Sequence, residues 1–174
     1  MRLSKLLMVG TVSLFTLPWL IALSAGTAQA QEVSWEQIIG IIQAGNLVGS
    51  GTGQVTGGGQ PWSTTGGEAE VDLATGDVQF EVQGLVLAGG NAIGTRATVS
   101  QVRGTLVCDT DGSGGGGNST LVNTPLVPLS PQGDAEFSGN VGPLPAACVN
   151  QPDIAFLIRI PAGRWIANGA VRTP

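Results

Sequence analysis

Acidic side chains in two short stretches are the groups of this sequence best suited to chemistry. In EAEVDLATGDVQFE, the carboxylates of Glu68, Glu70, Asp72 and Glu81 alternate with apolar residues. Neighbouring carboxyl groups act as acid and base in glycoside hydrolysis when one of them has a raised pKa. They can also bind a cation, or form a solvated face that protects a sheet from edge association. We interpret this acidic patch as a solvated face, with a cation site and a catalytic pair as the alternatives.

The second stretch is CDTDGSGGGGNS, which begins at Cys108. A calcium loop of the EF-hand type places oxygen ligands at positions 1, 3 and 5 and a bidentate glutamate at position 12. Asp109, Asp111 and Ser113 match the first three, but Thr120 stands where the glutamate belongs. This incomplete match favours a simple connecting loop between strands over a calcium-binding loop. Asp109, Asp111 and Ser113 remain weak candidates for calcium ligands, and we expect no other cofactor.

Missing residue types exclude several kinds of enzyme. The chain has no histidine and no tyrosine, and its one lysine is Lys5. A Ser-His-Asp or Cys-His triad, a histidine-based metal site and a Schiff-base lysine are therefore excluded from the part after residue 30. These absences favour a non-enzymatic module that is structural or ligand-binding. The alternatives are a carboxylate-based hydrolase or lyase of an extracellular polymer, and a weak calcium-dependent adhesion module.

The N-terminus has the pattern of a secretory signal peptide. Arg2 and Lys5 precede an apolar run, and Ala28-Gln29-Ala30 is a small-x-small cleavage site. We expect cleavage after Ala30, with an uncleaved membrane anchor as the alternative. Residues 31–174 would then form one secreted or periplasmic domain that has no further contact with the membrane.

The net charge limits the classes of partner that this domain can bind. Without Arg2 and Lys5, five arginines face twelve acidic residues, which gives a net charge of −7. Nucleic acids and anionic membranes repel such a chain, so we expect neither as a partner. The sequence does not identify a ligand or protein partner.

The two cysteines predict a disulfide. Cys108 and Cys148 are the only cysteines, and an exported chain enters an oxidising compartment. Closing a loop of this length stabilises a fold by roughly 4 kcal/mol in the chain-entropy model.

Alternating apolar and polar residues predict an all-β fold. We expect an antiparallel β-sandwich or partly closed barrel of about seven to eight strands, because short alternating runs are separated by glycine and proline. The runs are a hairpin over 68–83 and strands over 96–108, 120–127, 134–141, 154–160 and 164–172.

Two finer expectations concern the N-terminal segment and the turn of the hairpin. Ser34 can cap a short N-terminal helix whose apolar face includes Trp35 and Ile38, although a strand through IIGII is the alternative. In the hairpin, a two-residue turn at Thr75-Gly76 would place Glu70 opposite Glu81.

Two side chains in loops are candidates for interactions. Trp62 follows a proline in a polar stretch, where an indole ring can stack on a ligand, although covering a core edge is its commoner role. Asn118 begins the glycosylation sequon Asn118-Ser119-Thr120.

Overall fold

The computed structural model describes residues 31–114, 116–149 and 153–173, and the expected signal peptide lies outside them. The described chain is almost entirely β structure, which confirms the all-β fold class. The strands are β1 (Glu32–Gly40), β2 (Leu47–Val48), β3 (Val55–Thr56), β4 (Trp62–Ser63), β5 (Gly66–Asp72), β6 (Asp77–Gln83), β7 (Val86–Leu87), β8 (Gln101–Cys108), β9 (Thr120–Asn123), β10 (Val127–Pro128), β11 (Ala135–Asn140), β12 (Ile154–Arg159) and β13 (Trp165–Thr173). A 3₁₀ turn at Gly51–Gly53 and the short helix α1 (Ala146–Val149) complete the described elements.

One antiparallel sheet curls into a partly closed barrel. Its strand order is β10-β8-β12-β13-β1-β5-β6-β11, with β9 paired to β8. The end strands β10 and β11 approach each other without a ladder of hydrogen bonds. Two small ribbons, β2-β3 and β4-β7, lie beside the main sheet.

Aromatic rings fill the barrel interior. The rings of Phe80 on β6 and Phe156 on β12 lie 5.8 Å apart, although four strand-to-strand steps separate them in the sheet. Trp35 on β1 packs 5.5 Å from Phe156. Gly104 on β8 makes room for both phenylalanines, because a Cβ there would lie 2.7 Å from Phe156 and 3.0 Å from Phe80.

The predicted N-terminal helix is wrong, because this segment is the strand β1. A helix would have buried Ile39 and Ile42 beside Trp35, yet these side chains are 39% and 81% exposed. β1 instead lies between β13 and β5 and forms ladders with both. Pairing on two sides therefore outweighs the local helical pattern.

The predicted hairpin is present, but its register differs by two residues. Val71 pairs with Val78 and Glu70 pairs with Gln79. Asp72 sets this register by closing a longer turn: its Oδ1 accepts hydrogen bonds from the backbone N–H groups of Ala74 at 2.8 Å and Thr75 at 3.1 Å. A shift of two residues leaves each side chain on its expected face and changes only its partners.

Only part of the outer surface of the barrel is exposed to solvent. On β8, the run from Gly104 to Cys108 is buried on both faces. The segment leading from β2 to β4 lies against this side, where Gly57 forms a bridge with Trp165 on β13. The outer face of β5 and β6 is uncovered, and there buried and exposed residues alternate.

Candidate functional site

The solvent-exposed outer face of the sheet forms a groove of about 720 Å³ across β1, β5, β6 and β11. Two rows of outward side chains border it and run across the strands. We call the first the glutamate row: Glu68, Glu81 and Glu136 lie directly opposite one another on β5, β6 and β11. Glu36 extends the row onto β1, because it follows Trp35, which pairs with Ala69.

The second row is polar and mostly uncharged. Ser34, Glu70, Gln79 and Ser138 are opposite one another in the same four strands. A row of inward-facing residues, which includes Ala69, Phe80 and the half-buried Phe137, lines the floor between the two rows. The groove is thus a β-sheet floor bordered by carboxylates and small polar groups.

All six glutamates of the chain line this groove. All of them are exposed: Glu32, Glu36, Glu68, Glu70, Glu81 and Glu136. None of the six aspartates lines it. The aspartates occupy turns and strand ends, where a short side chain can bond to the nearby backbone. Glutamate and aspartate are therefore segregated by position.

The charged side chains that line the groove are all acidic, and no arginine is among them. Partial burial raises the pKa of Glu70, and both the charge of Glu32 and a hydrogen bond with its carboxyl group raise it further, as does the charge of Glu68. Carboxylates at this spacing repel one another, so the groove favours uptake of protons or other cations.

The acidic patch expected from the sequence is partly the same as this groove. Glu68, Glu70 and Glu81 line it, but Asp72 does not, because its carboxylate is bonded within the hairpin turn. The expected pairing of Glu70 with Glu81 is wrong, and Glu68 pairs with Glu81 instead.

Sequence reasoning missed Glu32, Glu36 and Glu136. A signal for Glu136 was present, since it lies in the expected strand 134–141 and alternates with Ala135 and Phe137. Glu32 and Glu36 could be assigned to a sheet face only after β1 was identified as a strand.

A second acidic cluster lies just beyond the C-terminal end of β8. Asp109, Asp111 and Asp153 each offer a carboxylate oxygen, and these oxygens lie within 4.8 Å of one another. The ladder between β8 and β12 brings them together, because Cys108 pairs with Ile154, the residue after Asp153. Of the weak candidates, Asp109 and Asp111 meet here, whereas Ser113 donates its backbone N–H to Asp111 Oδ1 at 2.9 Å.

The carboxyl groups of this cluster influence one another. The hydrogen bond from the Ser113 backbone, together with one from its side chain and one involving Asp153, lowers the pKa of Asp111 to about 2. The same contact with Asp111 raises the pKa of Asp153, and burial adds to that increase. Asp109 is only 2% exposed, and both of its carboxylate oxygens accept the backbone N–H of Gly114 at 3.1 Å.

The predicted disulfide is confirmed next to this cluster. Cys108 and Cys148 are joined with an S–S distance of 2.06 Å and a Cα–Cα distance of 4.8 Å. Both cysteines are fully buried. The bond attaches α1 to the end of β8 and immobilises the residue that precedes Asp109.

Trp62 and Asn118 lie away from the groove. Trp62 is 6% exposed and pairs with Leu87, so its ring belongs to the core and offers no face to a ligand. Asn118 is exposed, and its Oδ1 accepts hydrogen bonds from the backbone N–H of Thr52 at 2.8 Å and from its hydroxyl at 3.1 Å.

Comparison with known proteins identifies no relative. No protein-family model matches the chain, and neither a curated protein nor a solved structure shows significant similarity to it. Within the described residues, no helix has both the length and the apolar character needed to cross a membrane.

Proposed function

We propose that this chain is a non-enzymatic module of the extracytoplasmic space that binds a cationic ligand in the glutamate groove. The proposed ligand is an extended peptide segment rich in arginine or lysine. The observation that carries the proposal is the placement of all six glutamates in one groove of about 720 Å³. The disulfide supports the extracytoplasmic location, since such bonds persist in oxidising compartments.

The glutamate row is energetically unfavourable without a ligand. Like charges directly opposite each other on paired strands destabilise a sheet, and Glu81 has such a neighbour on each side. A charged surface that served solubility alone would be equally effective with its charges dispersed. Concentrating them gives a strongly negative potential in one place, which attracts and orients a cationic partner.

The spacing of the row suits an extended peptide. Adjacent strands are about 4.8 Å apart, so four glutamates on four strands span about 14 Å. Alternate side chains of an extended chain repeat every 6.6–6.8 Å or so, which places about three of them along that span. Exposed ion pairs contribute about 0.2–1 kcal/mol each, so three or four of them give at most about 4 kcal/mol, which corresponds to a dissociation constant of about 1 mM or weaker.

Isothermal titration calorimetry with an eight-residue peptide of alternating arginine and serine tests this proposal. Binding should weaken steeply between 50 mM and 500 mM salt, because added ions screen exposed charges. Peptides with glutamine or glutamate in place of arginine should not bind. Equal affinity for the glutamine peptide would refute the proposal.

A pair of double variants tests the location. Glu81→Gln with Glu136→Gln removes two charges from the row and should weaken binding by about 3–10-fold. Gln43→Lys with Ala88→Lys changes the net charge by the same amount at exposed loop positions outside the groove. Binding by this control should stay within about twofold of the wild type. Equal losses in both proteins would mean that overall charge, rather than the groove, attracts the peptide.

A carboxylate-based hydrolase is the second candidate. Its support is the raised pKa of Glu70 beside Glu68, since a protonated and an ionised carboxyl group form the acid and base of glycoside hydrolysis. It ranks second because Trp35 and Phe80 are buried in the core and Phe137 is half-buried and stacked on Phe80, so the groove presents little aromatic surface to a sugar. Release of reducing sugar from a panel of polysaccharides, abolished by Glu70→Gln, would favour the enzyme over the binding module.

A further inference from the structure

We infer that the end of the barrel beside the disulfide holds a divalent cation, best matched by Ca²⁺, bound by Asp109, Asp111 and Asp153. This site is independent of the glutamate groove and shares no residue with it. Two segments of the chain contribute to it. Asp109 follows β8, Asp111 lies two residues further along the turn, and Asp153 precedes β12.

The distances fit shared ligation of one ion. Ca²⁺ binds oxygen ligands at about 2.3–2.6 Å, so two oxygens on the same ion lie at most about 5 Å apart. One oxygen from each of the three carboxylates meets this limit, since all lie within 4.8 Å of one another. Ca²⁺ suits the site better than Mg²⁺, because it accepts irregular oxygen geometry and completes its shell with water and backbone carbonyls.

Unsatisfied buried oxygens provide the second line of support. Among the described residues, the two buried side-chain oxygens that lack a hydrogen-bond partner are Asp153 Oδ2 and Ser50 Oγ. Asp153 Oδ2 belongs to the cluster itself. Ser50 borders the loop that carries Asp111, because a Cβ built on Gly112 would lie 2.5 Å from Ser50 Oγ. Buried polar atoms nearly always have a partner, and a bound ion supplies one to a carboxylate oxygen.

Asp109 gives the third line. It is 2% exposed, and within the described part of the chain the one backbone donor to its two carboxylate oxygens is the N–H of Gly114. A buried carboxylate is costly unless a cation or several donors compensate it. A divalent ion shared with Asp111 and Asp153 would compensate all three groups together.

Titration of the folded protein with CaCl₂ tests the site, followed by ¹H–¹⁵N NMR and by thermal melts. The amide signals of Ser113 and Gly114 should shift, because both N–H groups bond to cluster carboxylates. We expect a dissociation constant of about 10⁻⁴–10⁻³ M, the range of extracellular calcium modules. Mg²⁺ should bind at least about tenfold more weakly, and a chelator should reverse both the shifts and the rise in melting temperature.

Two variants locate the ion. Asp153→Asn keeps the side-chain shape, and Asp111→Asn changes an exposed residue and provides the same test if the first variant folds poorly. Either should lose at least about tenfold in calcium affinity, whereas Glu81→Gln, which removes the same charge from the groove, should retain it. Unchanged amide signals and melting temperature at 10 mM CaCl₂, equal affinity in Asp111→Asn, or equal loss in Glu81→Gln would overturn the inference.

Discussion

Removing the charge of Glu81 should stabilise the folded protein, because like charges directly opposite each other destabilise a sheet. Glu81 is opposite Glu68 on one side and Glu136 on the other. The substitution Glu81→Gln removes both repulsions and keeps a side-chain oxygen that can accept the hydrogen bond from Gln83 Nε2, which is 2.5 Å long in the wild type.

The magnitude follows from the cross-strand geometry. Directly opposite Cβ atoms are about 4.5–5.5 Å apart, and long side chains can separate their charges to about 8 Å. Coulomb repulsion in water at 5–8 Å is about 0.5–0.8 kcal/mol for each pair. Two pairs therefore give roughly 1 kcal/mol, which raises the melting temperature of a domain of this size by about 3–4 °C.

The assay is thermal unfolding followed by circular dichroism at pH 7 in about 20 mM and 1 M NaCl. The gain should nearly disappear at 1 M, where the screening length is about 3 Å. Gln79→Glu is the reciprocal test: it adds a charge opposite Glu70 and should lower the melting temperature. Gln43→Lys controls for net charge and should have little effect. A lower melting temperature for Glu81→Gln, or a gain that persists at 1 M salt, would refute the reasoning.

Three further predictions concern the fold. The pKa of Glu70 is higher in the folded state than in the unfolded state. Its contribution to stability is therefore present below the unfolded pKa and is lost as the pH rises through the folded pKa. Thermal melts between pH 4 and 7 should show this loss in the wild type and not in Glu70→Gln. Gly104→Ala should reduce the free energy of unfolding by about 1–3 kcal/mol in urea titrations, because its methyl group would collide with Phe156, and an unchanged midpoint would contradict the packing described. Replacing Cys108 and Cys148 by serine should cost about 4 kcal/mol in the same assay, and a loss below 1 kcal/mol would contradict the loop-closure argument.

The hairpin shows what alternation can and cannot predict. Apolar alternation placed Val71 and Phe80 on the buried face, and both are buried. It could not give their partners, because the register depends on the turn. The turn is set by hydrogen bonds from the backbone to the Asp72 side chain, and a two-residue turn was the simpler expectation.

The segment 32–40 shows how tertiary pairing overrides local pattern. Its apolar residues fit a helical face as well as a strand, and a central place between β13 and β5 decides the outcome. Two residues of the groove, Glu32 and Glu36, depended on this choice.

Asp153 could not have been joined to Asp109 and Asp111 from the sequence. More than forty positions separate Asp109 from Asp153, and only the pairing of β8 with β12 brings them together. The loop pattern therefore gave two of the three clustered aspartates. The third required knowledge of which strands are neighbours.

The most direct test of the glutamate groove is ¹H–¹⁵N chemical-shift mapping with the alternating arginine–serine peptide. Saturating shifts should concentrate on the amides of Glu36, Glu68, Glu81, Glu136 and their neighbours in β1, β5, β6 and β11, and should vanish in 500 mM salt. Shifts centred on another surface, or no shifts at about 10 mM peptide in low salt, would contradict the proposed binding function.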